Sequence, residues 1–332
     1  MLSHNTRLLA AEEYAHDAVK KMQRASSRIA FVTTTFRVDD ELSEKFFTAL
    51  CDAADRGVLV SVCADTLTYI EPKESIFRTP ARNTSRVYKA IKIERELKKH
   101  GVSFRWLGRS SALPLTGRTH AKWLIIDDTV YSFGGVNMDS GSFKNTDLLL
   151  RISNSQLADK LFLLHTRVLK ADRARHAFRS YKFTIDDAST VLVDGGLSFD
   201  SIIYRRAKQL GKQASSILLV SQYCPTGTLN RILRRGNARL YFNHWKEATQ
   251  INRTIIRVGL LFSKNKTLYT RDNYLHAKFI IFTMPDGKKI AITGSHNFMS
   301  ESVIAGTREI ALETHDKAII TQLESFFKTH IQ

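Results

Sequence analysis

The sequence predicts an α/β protein made of two related halves. Two observations carry this reading. Short apolar strands alternate with amphipathic helices along the chain, and one strand–turn–strand block occurs twice. The block is THAKWLII at Thr119–Ile126 and LHAKFIIF at Leu275–Phe282. Each copy is followed by a second strand and a glycine-containing turn that ends in asparagine, FGGVN to Asn137 and TGSHN to Asn297. Upstream, SSRIAFV from Ser26 matches SSILLV from Ser215, Gly57 before VLVSVC matches Gly236 before ARLYF, and GVSF from Gly101 matches GLLF from Gly259. The matches keep one order in both halves, which chance explains poorly. Gly57 and Gly101 lie 44 positions apart but Gly236 and Gly259 only 23, so the first half carries about 21 more residues within the Asp65–Lys98 region. An asymmetric insertion in a duplicated chain is either a place for substrate selection or an inert surface excursion.

The elements follow in order. Leu8, Ala11, Ala15, Val19 and Met22 share one face of a helix, with Glu13, Asp17 and Lys20 opposite. Strands are expected at Ile29–Val32 and Val58–Cys63, with a helix near Glu41–Arg56 between them. A helix over Arg86–His100 places Val87, Ala90, Ile91 and Leu97 on one side and Lys89, Lys92 and Lys99 on the other, and it stops at Gly101 as a C-terminal glycine would stop it. Strands at Ser103–Trp106, Lys122–Ile126, Val130–Phe133 and Asp147–Ile152 complete the first half. A helix over Leu157–Leu169 and a basic stretch, Arg173–Lys182, lead into the second half, which starts with STVLVDGG near Ser189. It continues with a helix at Ser201–Gln213, a strand at Ile217–Val220, a short helix at Leu229–Arg235 and further strands.

Composition narrows the class. The chain has 332 residues, 43% hydrophobic, enough for one large domain or two fused ones. No apolar run of about 18 residues or more suggests a membrane span, and the first ten residues lack the basic tip and apolar stretch of a secretory signal. Cys51, Cys63 and Cys224 are odd in number and scattered, which implies neither a disulfide framework nor a zinc site and suits a reducing cytoplasm. The formal charge of +18 favours an anionic partner, either nucleic acid or an acidic lipid surface.

The chemistry lies in the repeated block. On a strand, side chains alternate between faces, so His120 and Lys122 point one way and Ala121 the other; His276, Ala277 and Lys278 repeat the device. The returning strand of each hairpin brings back Asn137 or Asn297. Two such units about a pseudo-two-fold surround one cleft with two histidines, two lysines and two asparagines. Lysines and amides neutralise and orient phosphoryl oxygens, while one histidine attacks phosphorus and the other protonates the leaving oxygen. Such a set carries its own cations, so neither a metal nor a cofactor is expected. A lone His-x-Lys says nothing, and an asparagine after glycine is commonly a turn residue; duplication at matched positions changes that balance.

In these residues the chain resembles the phospholipase D superfamily, whose pattern is His-x-Lys, four residues, Asp, then Gly-Gly/Ser-x-Asn. The first copy supplies His120, Lys122, Asp127, Gly134, Gly135 and Asn137. The second supplies His276, Lys278, Gly294, Ser295 and Asn297, with Thr283 at the aspartate position and a turn four residues longer. The resemblance implies two similar lobes, residues 1–185 and 186–332, each a mixed β-sheet flanked by helices, with the active site between them. It implies catalytic roles for His120, His276, Lys122 and Lys278, phosphoryl contacts from Asn137, Asn297, Gly135 and Ser295, and a structural role for Asp127. It also implies that Asp147 and Glu309 are the carboxylates that orient the imidazoles. ELKKHGVSFRWLG, and STVLVDGG leading to SSILLVSQYCP, look like the cardiolipin synthase branch, a phosphatidyltransferase group. The implied activity is phosphodiester cleavage or phosphatidyl transfer on glycerophospholipids through a phosphohistidine, by a cytoplasmic protein held peripherally on an anionic phospholipid membrane, with Lys89, Lys92, Lys98 and Lys99, or Arg173, Arg175 and Arg179, near the headgroups. The alternative is a nuclease of the same superfamily, for which Tyr241, Phe242, Trp245 and Tyr269 would stack bases, although core packing is the more ordinary place for such residues. A catalytically dead scaffold is the third reading, against which stand the intact histidines and lysines of both copies.

Overall fold

The computed structural model describes residues 2–69, 84–108, 117–244 and 265–332, together with Lys246, Arg253 and Arg257. Trp245, Gly259 and the 70–83 part of the expected insertion lie outside the described residues. The first half runs β1 (Thr6–Ala10), α1 (Ala11–Met22), β2 (Arg28–Thr33), α2 (Glu41–Asp55), β3 (Leu59–Asp65), α3 (Ser85–Lys99), β4 (Ser103–Leu107), β5 (Trp123–Ile126), β6 (Thr129–Ser132), α4 (Ser140–Lys144), β7 (Leu148–Ser153) and α5 (Ser155–Arg173). The second runs β8 (Tyr181–Asp186), β9 (Ser189–Gly195), α6 (Ile202–Gln213), β10 (Ser216–Val220), α7 (Gly227–Arg235), β11 (Ala238–Tyr241), β12 (Phe279–Thr283), β13 (Lys289–Gly294), α8 (Ser300–Ala305), β14 (Arg308–Thr314) and α9 (Lys317–His330).

Among the described residues these strands form two seven-stranded sheets, ordered β1-β7-β6-β5-β2-β3-β4 and β11-β10-β12-β13-β14-β9-β8. Reading the second list backwards from β9 reproduces the first from β1. The senses agree as well, since β2 and β3 pair in parallel, as do β10 and β11, while the intervening pairs in both sheets are antiparallel. The duplication read from the sequence is therefore two similar mixed-sheet lobes.

Alternation of side chains explains how the lobes join. Ile29, Phe31, Leu124 and Ile126 face the helices α1 to α3 on the outside of the first sheet. Ala30, Val32, Trp123, Ile125, Leu150 and Ile152 point the other way and meet Val191, Val193, Ile310 and Leu312 of the second sheet, with α5 beside them. The helices start where their caps direct. Asp40 and Ser43 close α2 with a reciprocal capping box, and Asp316 accepts the backbone N–H groups of Ala318 and Ile319 at the start of α9. Gly101 follows α3 with φ +81°, a left-handed residue at a helix end.

Two elements differ from the sequence reading. Leu8 belongs to β1 and pairs with Leu150, so the first helix starts at Ala11. Five residues are too few for periodicity to separate a strand from a helical turn, and the pairing partner is more than a hundred residues away. The basic stretch into the second half runs into β8, which pairs with β9 and spans the expected lobe boundary at 185/186. β8 covers the free edge of β9. The corresponding edge of β1 is closed by a side chain, Gln322 of α9, which accepts from the Leu8 N–H (2.7 Å) and donates to the Thr6 carbonyl (3.3 Å).

Asp127 turns the β5–β6 hairpin at φ +50°, and its carboxylate accepts the backbone N–H groups of Ser26, Ser27 and Arg28 at 3.1, 2.9 and 3.0 Å. In the second lobe, Thr283 provides only its carbonyl, which accepts from the Ser215 N–H (2.8 Å) and hydroxyl (2.9 Å). The β12–β13 hairpin nevertheless keeps unbroken register from Phe279↔Thr293 to Thr283↔Lys289. Asp127→Ala is expected to lower stability by about 1–2 kcal/mol, read from urea unfolding, because several backbone donors at the entry to β2 lose their acceptor. An unchanged unfolding midpoint would show that water replaces the carboxylate at no cost.

Candidate active site

His120 lies just before β5 and His276 just before β12, at the ends of the two sheets that face each other. Each is held by the opposite lobe. The N–H groups of His120 and Ala121 both donate to the carbonyl of Arg308, at 2.9 Å each, and those of His276 and Ala277 to the carbonyl of Thr146, at 2.9 and 3.0 Å. Thr146 and Arg308 are the residues immediately before Asp147 and Glu309. The same backbone exchange thus brings each histidine to the carboxylate of the other lobe.

That carboxylate is its hydrogen-bond partner. The His120 Nδ1–H lies 3.1 Å from both oxygens of Glu309, and the His276 Nδ1–H lies 2.6 Å from Asp147 Oδ2. Glu309 also accepts the hydroxyl of Ser295. Asp147 accepts from the backbone N–H groups of Gly135 (3.3 Å) and Leu148 (2.8 Å). With Nδ1–H committed to a carboxylate, Nε2 of each ring keeps its lone pair for chemistry.

The lysines are buried cations. Lys122 is 1% exposed and donates to Thr34 Oγ1 (2.8 Å) and to the carbonyl of His120 (2.6 Å); Lys278 is 0% exposed and donates to the carbonyl of His276. Burial pushes Lys122 down to about 7 and Lys278 to about 8, against the pull of the nearby carboxylates. Burial also lowers His276 to about 4 and lowers His120, with the lysines adding to the effect. Glu309 is held at about 2 by His120, and His276 holds Asp147 down, each overcoming the burial that opposes ionisation. The charge of Lys278 bears on His120 and that of Lys122 on His276, so the two blocks converge on one place. Two carboxylates, two ammoniums and two neutral imidazoles sum to no net charge, and an arriving phosphodiester monoanion leaves room for one more proton on an imidazole.

The remaining motif residues line the same place with less symmetry. A side chain at Gly135 would meet Asp147 Oδ2 at 2.6 Å and the His276 carbonyl and Lys278 Nζ at 2.8 Å each, so only glycine permits this approach. Asn137 Oδ1 sits 3.3–3.4 Å from donors on Thr33, Thr34 and Thr35, which leaves its N–H₂ free to donate. Asn297 is equally buried, but its Oδ1 has no donor among the described residues. Between Ser295 and Asn297, His296 accepts the Phe298 N–H at Nδ1 (2.7 Å), and its buried Nε2 has no partner among the described residues.

Sequence reasoning missed the residues that position the motif. Asp65 accepts the Thr119 N–H at 2.8 Å and binds Arg118, and Asn243 accepts the Leu275 N–H at 2.9 Å while donating to the Leu275 carbonyl at 2.7 Å. Each is the first polar residue after the apolar run of the parallel strand next to β2 or β10, a signal that was present in both halves. Of the aromatic residues singled out as base-stacking candidates, the three described ones are core, and Trp245 lies outside the described residues. Tyr241, Phe242 and Tyr269 are 6%, 2% and 9% exposed, and Tyr241 packs edge-on against Phe327.

Crossed His–carboxylate pairs on two duplicated mixed sheets define an enzyme of the phospholipase D superfamily, a phosphodiesterase or phosphatidyltransferase. The chain belongs to the family described as the PLD-like domain of cardiolipin synthase, which matches residues 18–162 and 226–331. Among solved structures, phosphatidylserine synthase from Haemophilus influenzae Rd KW20 is similar over 100% of this chain and 88% of its own, with a TM-score of 0.73 and 11% identity. Polyphosphate kinase from Porphyromonas gingivalis is similar over 98% of this chain and 50% of its own, with a TM-score of 0.59 and 12% identity. At these identities the likeness is one of fold. No curated protein sequence matches the chain significantly.

Proposed function

We propose that the protein transfers or hydrolyses the phosphatidyl group of a glycerophospholipid through a phosphohistidine, as a cytoplasmic enzyme peripheral to the inner face of a membrane. The observation that carries the chemistry is the pair of crossed His–carboxylate contacts beside two buried lysines. His120 is the more accessible imidazole, its side chain 20% exposed against 9% for His276. In the first step His120 Nε2 bonds to phosphorus, the ester P–O bond breaks, and the proton on His276 Nε2 goes to the departing alkoxide. In the second, His276 takes a proton from water or an alcohol, whose oxygen displaces His120 from phosphorus. Lys122, Lys278, Asn137 and Asn297 hold the non-bridging oxygens, Gly135 leaves room for them, and Ser295 fixes Glu309. Among the described residues no helix is long and apolar enough to cross a membrane, which fits peripheral contact.

Lipid is favoured over nucleic acid because the family described by its cardiolipin synthase member matches both halves, and because Tyr241, Phe242 and Tyr269 are packed in the core. The deciding assay uses purified protein in EDTA with phosphatidylglycerol vesicles in one arm and single- and double-stranded DNA in the other. Cardiolipin plus glycerol is the transfer product and phosphatidic acid the hydrolysis product. DNA cleavage with inert lipid, lost in His276→Ala, would make the protein a nuclease.

The pH dependence follows from the shifted groups. His276 must carry a proton to act as acid and Lys122 must be charged to hold phosphate; both protons are lost as pH rises, the first from about 4 and the second through about 7. We expect kcat/KM to be highest in the acid range, to decline as pH rises above about 4 and to fall more steeply through about pH 7, in rate profiles from about pH 4 to about pH 9. A rate rising through pH 8 would contradict these roles.

A further inference from the structure

Phe199 and Ile304 are large apolar side chains left 75% and 52% exposed, and they stand side by side, since the Phe199 N–H donates to the carbonyl of Val303 at 2.8 Å. Single exposed apolar residues are ordinary, but an adjoining pair backed by half-buried Leu197 and Val303 is a patch. Its backbone is also unusual. Phe199 sits at φ +64°, a conformation that a bulky side chain rarely adopts. The turn that holds it there is tightly seated. A side chain at Gly306, at the end of α8, would meet the Gly196 carbonyl at 2.5 Å and Ser198 N at 2.8 Å, and Asp200 N–H closes the turn on the Leu197 carbonyl at 3.2 Å. A rigid scaffold therefore presents an aromatic ring to solvent at the expense of backbone strain, and strain of this kind concentrates at binding sites.

Arginines flank the patch. The 176–180 segment runs beside this turn, with Phe178 N–H on the Gly195 carbonyl (3.1 Å) and Ser180 N–H on Asp200 Oδ2 (2.7 Å). Arg175, just before that segment, and Arg179 on it are exposed and form no ion pair with any acidic side chain among the described residues. The patch is connected to the site through Arg308. Arg308 packs its side chain against Gly196 and bonds the His176 carbonyl (3.1 Å), while its own carbonyl holds His120, and α8 starts three residues after Asn297.

We infer that Phe199 and Ile304, with Arg175 and Arg179, form the surface that docks the cleft on an anionic phospholipid bilayer. The ring and the aliphatic side chains enter the acyl boundary, and the guanidinium groups meet the headgroups. Three aliphatic residues around one ring suit a hydrocarbon boundary better than a run of stacked bases, which would need further aromatic faces. The inference rests on the lipid reading of the cleft for its substrate and on the patch itself for its partner.

The test compares the wild type with the double variant Phe199→Asn/Ile304→Gln, in which asparagine tolerates the left-handed turn and glutamine the helix. Binding is read by co-sedimentation with phosphatidylcholine vesicles carrying phosphatidylglycerol. Turnover is read on those vesicles and on dissolved short-chain phosphatidylglycerol, and circular dichroism checks folding. Vesicle affinity is expected to fall about tenfold or more, vesicle turnover to fall with it, and turnover of the dissolved lipid to stay within about twofold. Arg175→Glu/Arg179→Glu is expected to weaken binding to anionic vesicles and to leave the same dissolved-lipid rate. Double variants that bind vesicles as the wild type does, or a wild type that binds no vesicles, would overturn the docking surface even where dissolved lipid is turned over. Patch-dependent vesicle binding with neither lipid form turned over would uphold the surface and refute the lipid substrate. Variants that lose DNA binding but keep vesicle binding would reassign the patch to nucleic acid.

Discussion

Turnover is expected to fall by about 10³-fold or more when His120 or His276 is replaced by alanine. Each imidazole presents one free nitrogen, because Nδ1 is bonded to Glu309 or Asp147. No other side chain that the structure places there duplicates the nucleophile: the lysines are committed to carbonyl oxygens, and His296, whose Nδ1 accepts the Phe298 N–H, carries its proton on Nε2 and has no lone pair there for attack. The two losses are not additive, since either breaks the same two-step sequence, and the double variant is expected to be no slower than the worse single one. A diester with an acidic phenol as leaving group separates the roles. It needs little protonation, so His276→Ala is expected to accumulate an acid-labile phosphohistidine on His120, whereas His120→Ala forms none. Accumulation in the His120→Ala protein would exchange the two assignments. Near-wild-type rates in both single variants would refute the shared cleft.

The second large effect concerns the carboxylates. Asp147→Asn and Glu309→Gln are each expected to lower kcat by about 10²-fold or more, because an amide does not stabilise the imidazolium and can select the wrong tautomer. Because the pairs are crossed, each variant has a signature that loss of folding would not produce. In NMR titrations of the imidazole ring protons, Asp147→Asn is expected to move the titration of His276 and leave that of His120 nearly in place, with the reverse for Glu309→Gln. A shift of His120 in the Asp147→Asn protein would contradict the cross-lobe pairing. Stability is expected to fall too, by about 3 kcal/mol, since Lys278 and Lys122 lose a nearby counter-charge while remaining fully buried.

Much of this site was legible in the sequence, because its parts are local. Histidine, lysine and asparagine recur in one short strand–turn–strand block, and a strand's alternation puts His120 and Lys122 on one side regardless of what surrounds them. The long helices were legible for the same reason: Glu41–Asp55 carries its own capping box, and Ser85–Lys99 its own terminating glycine. Short or edge elements were not. β1 is five residues whose strand character comes from pairing with β7, and β8 is half-exposed and ordered by β9. Asp65, Asn243 and Thr34 escaped attention because a polar residue after a strand is common, and only the folded chain shows which ones reach the histidine loops.

By itself, the sequence determined the duplicated α/β plan, the candidate reactive groups and the spacing that turns each pair toward one side. Tertiary structure alone decided which carboxylate serves which imidazole. His120 meets Glu309 across 189 residues and His276 meets Asp147 across 129, and both contacts exist only where the two sheets abut. The physical reason is the range of the forces involved. Side-chain alternation acts over a few residues, whereas the apolar faces of the two sheets set how the lobes sit against each other. That docking buries two lysines beside two carboxylates and brings two copies of the same block to one site.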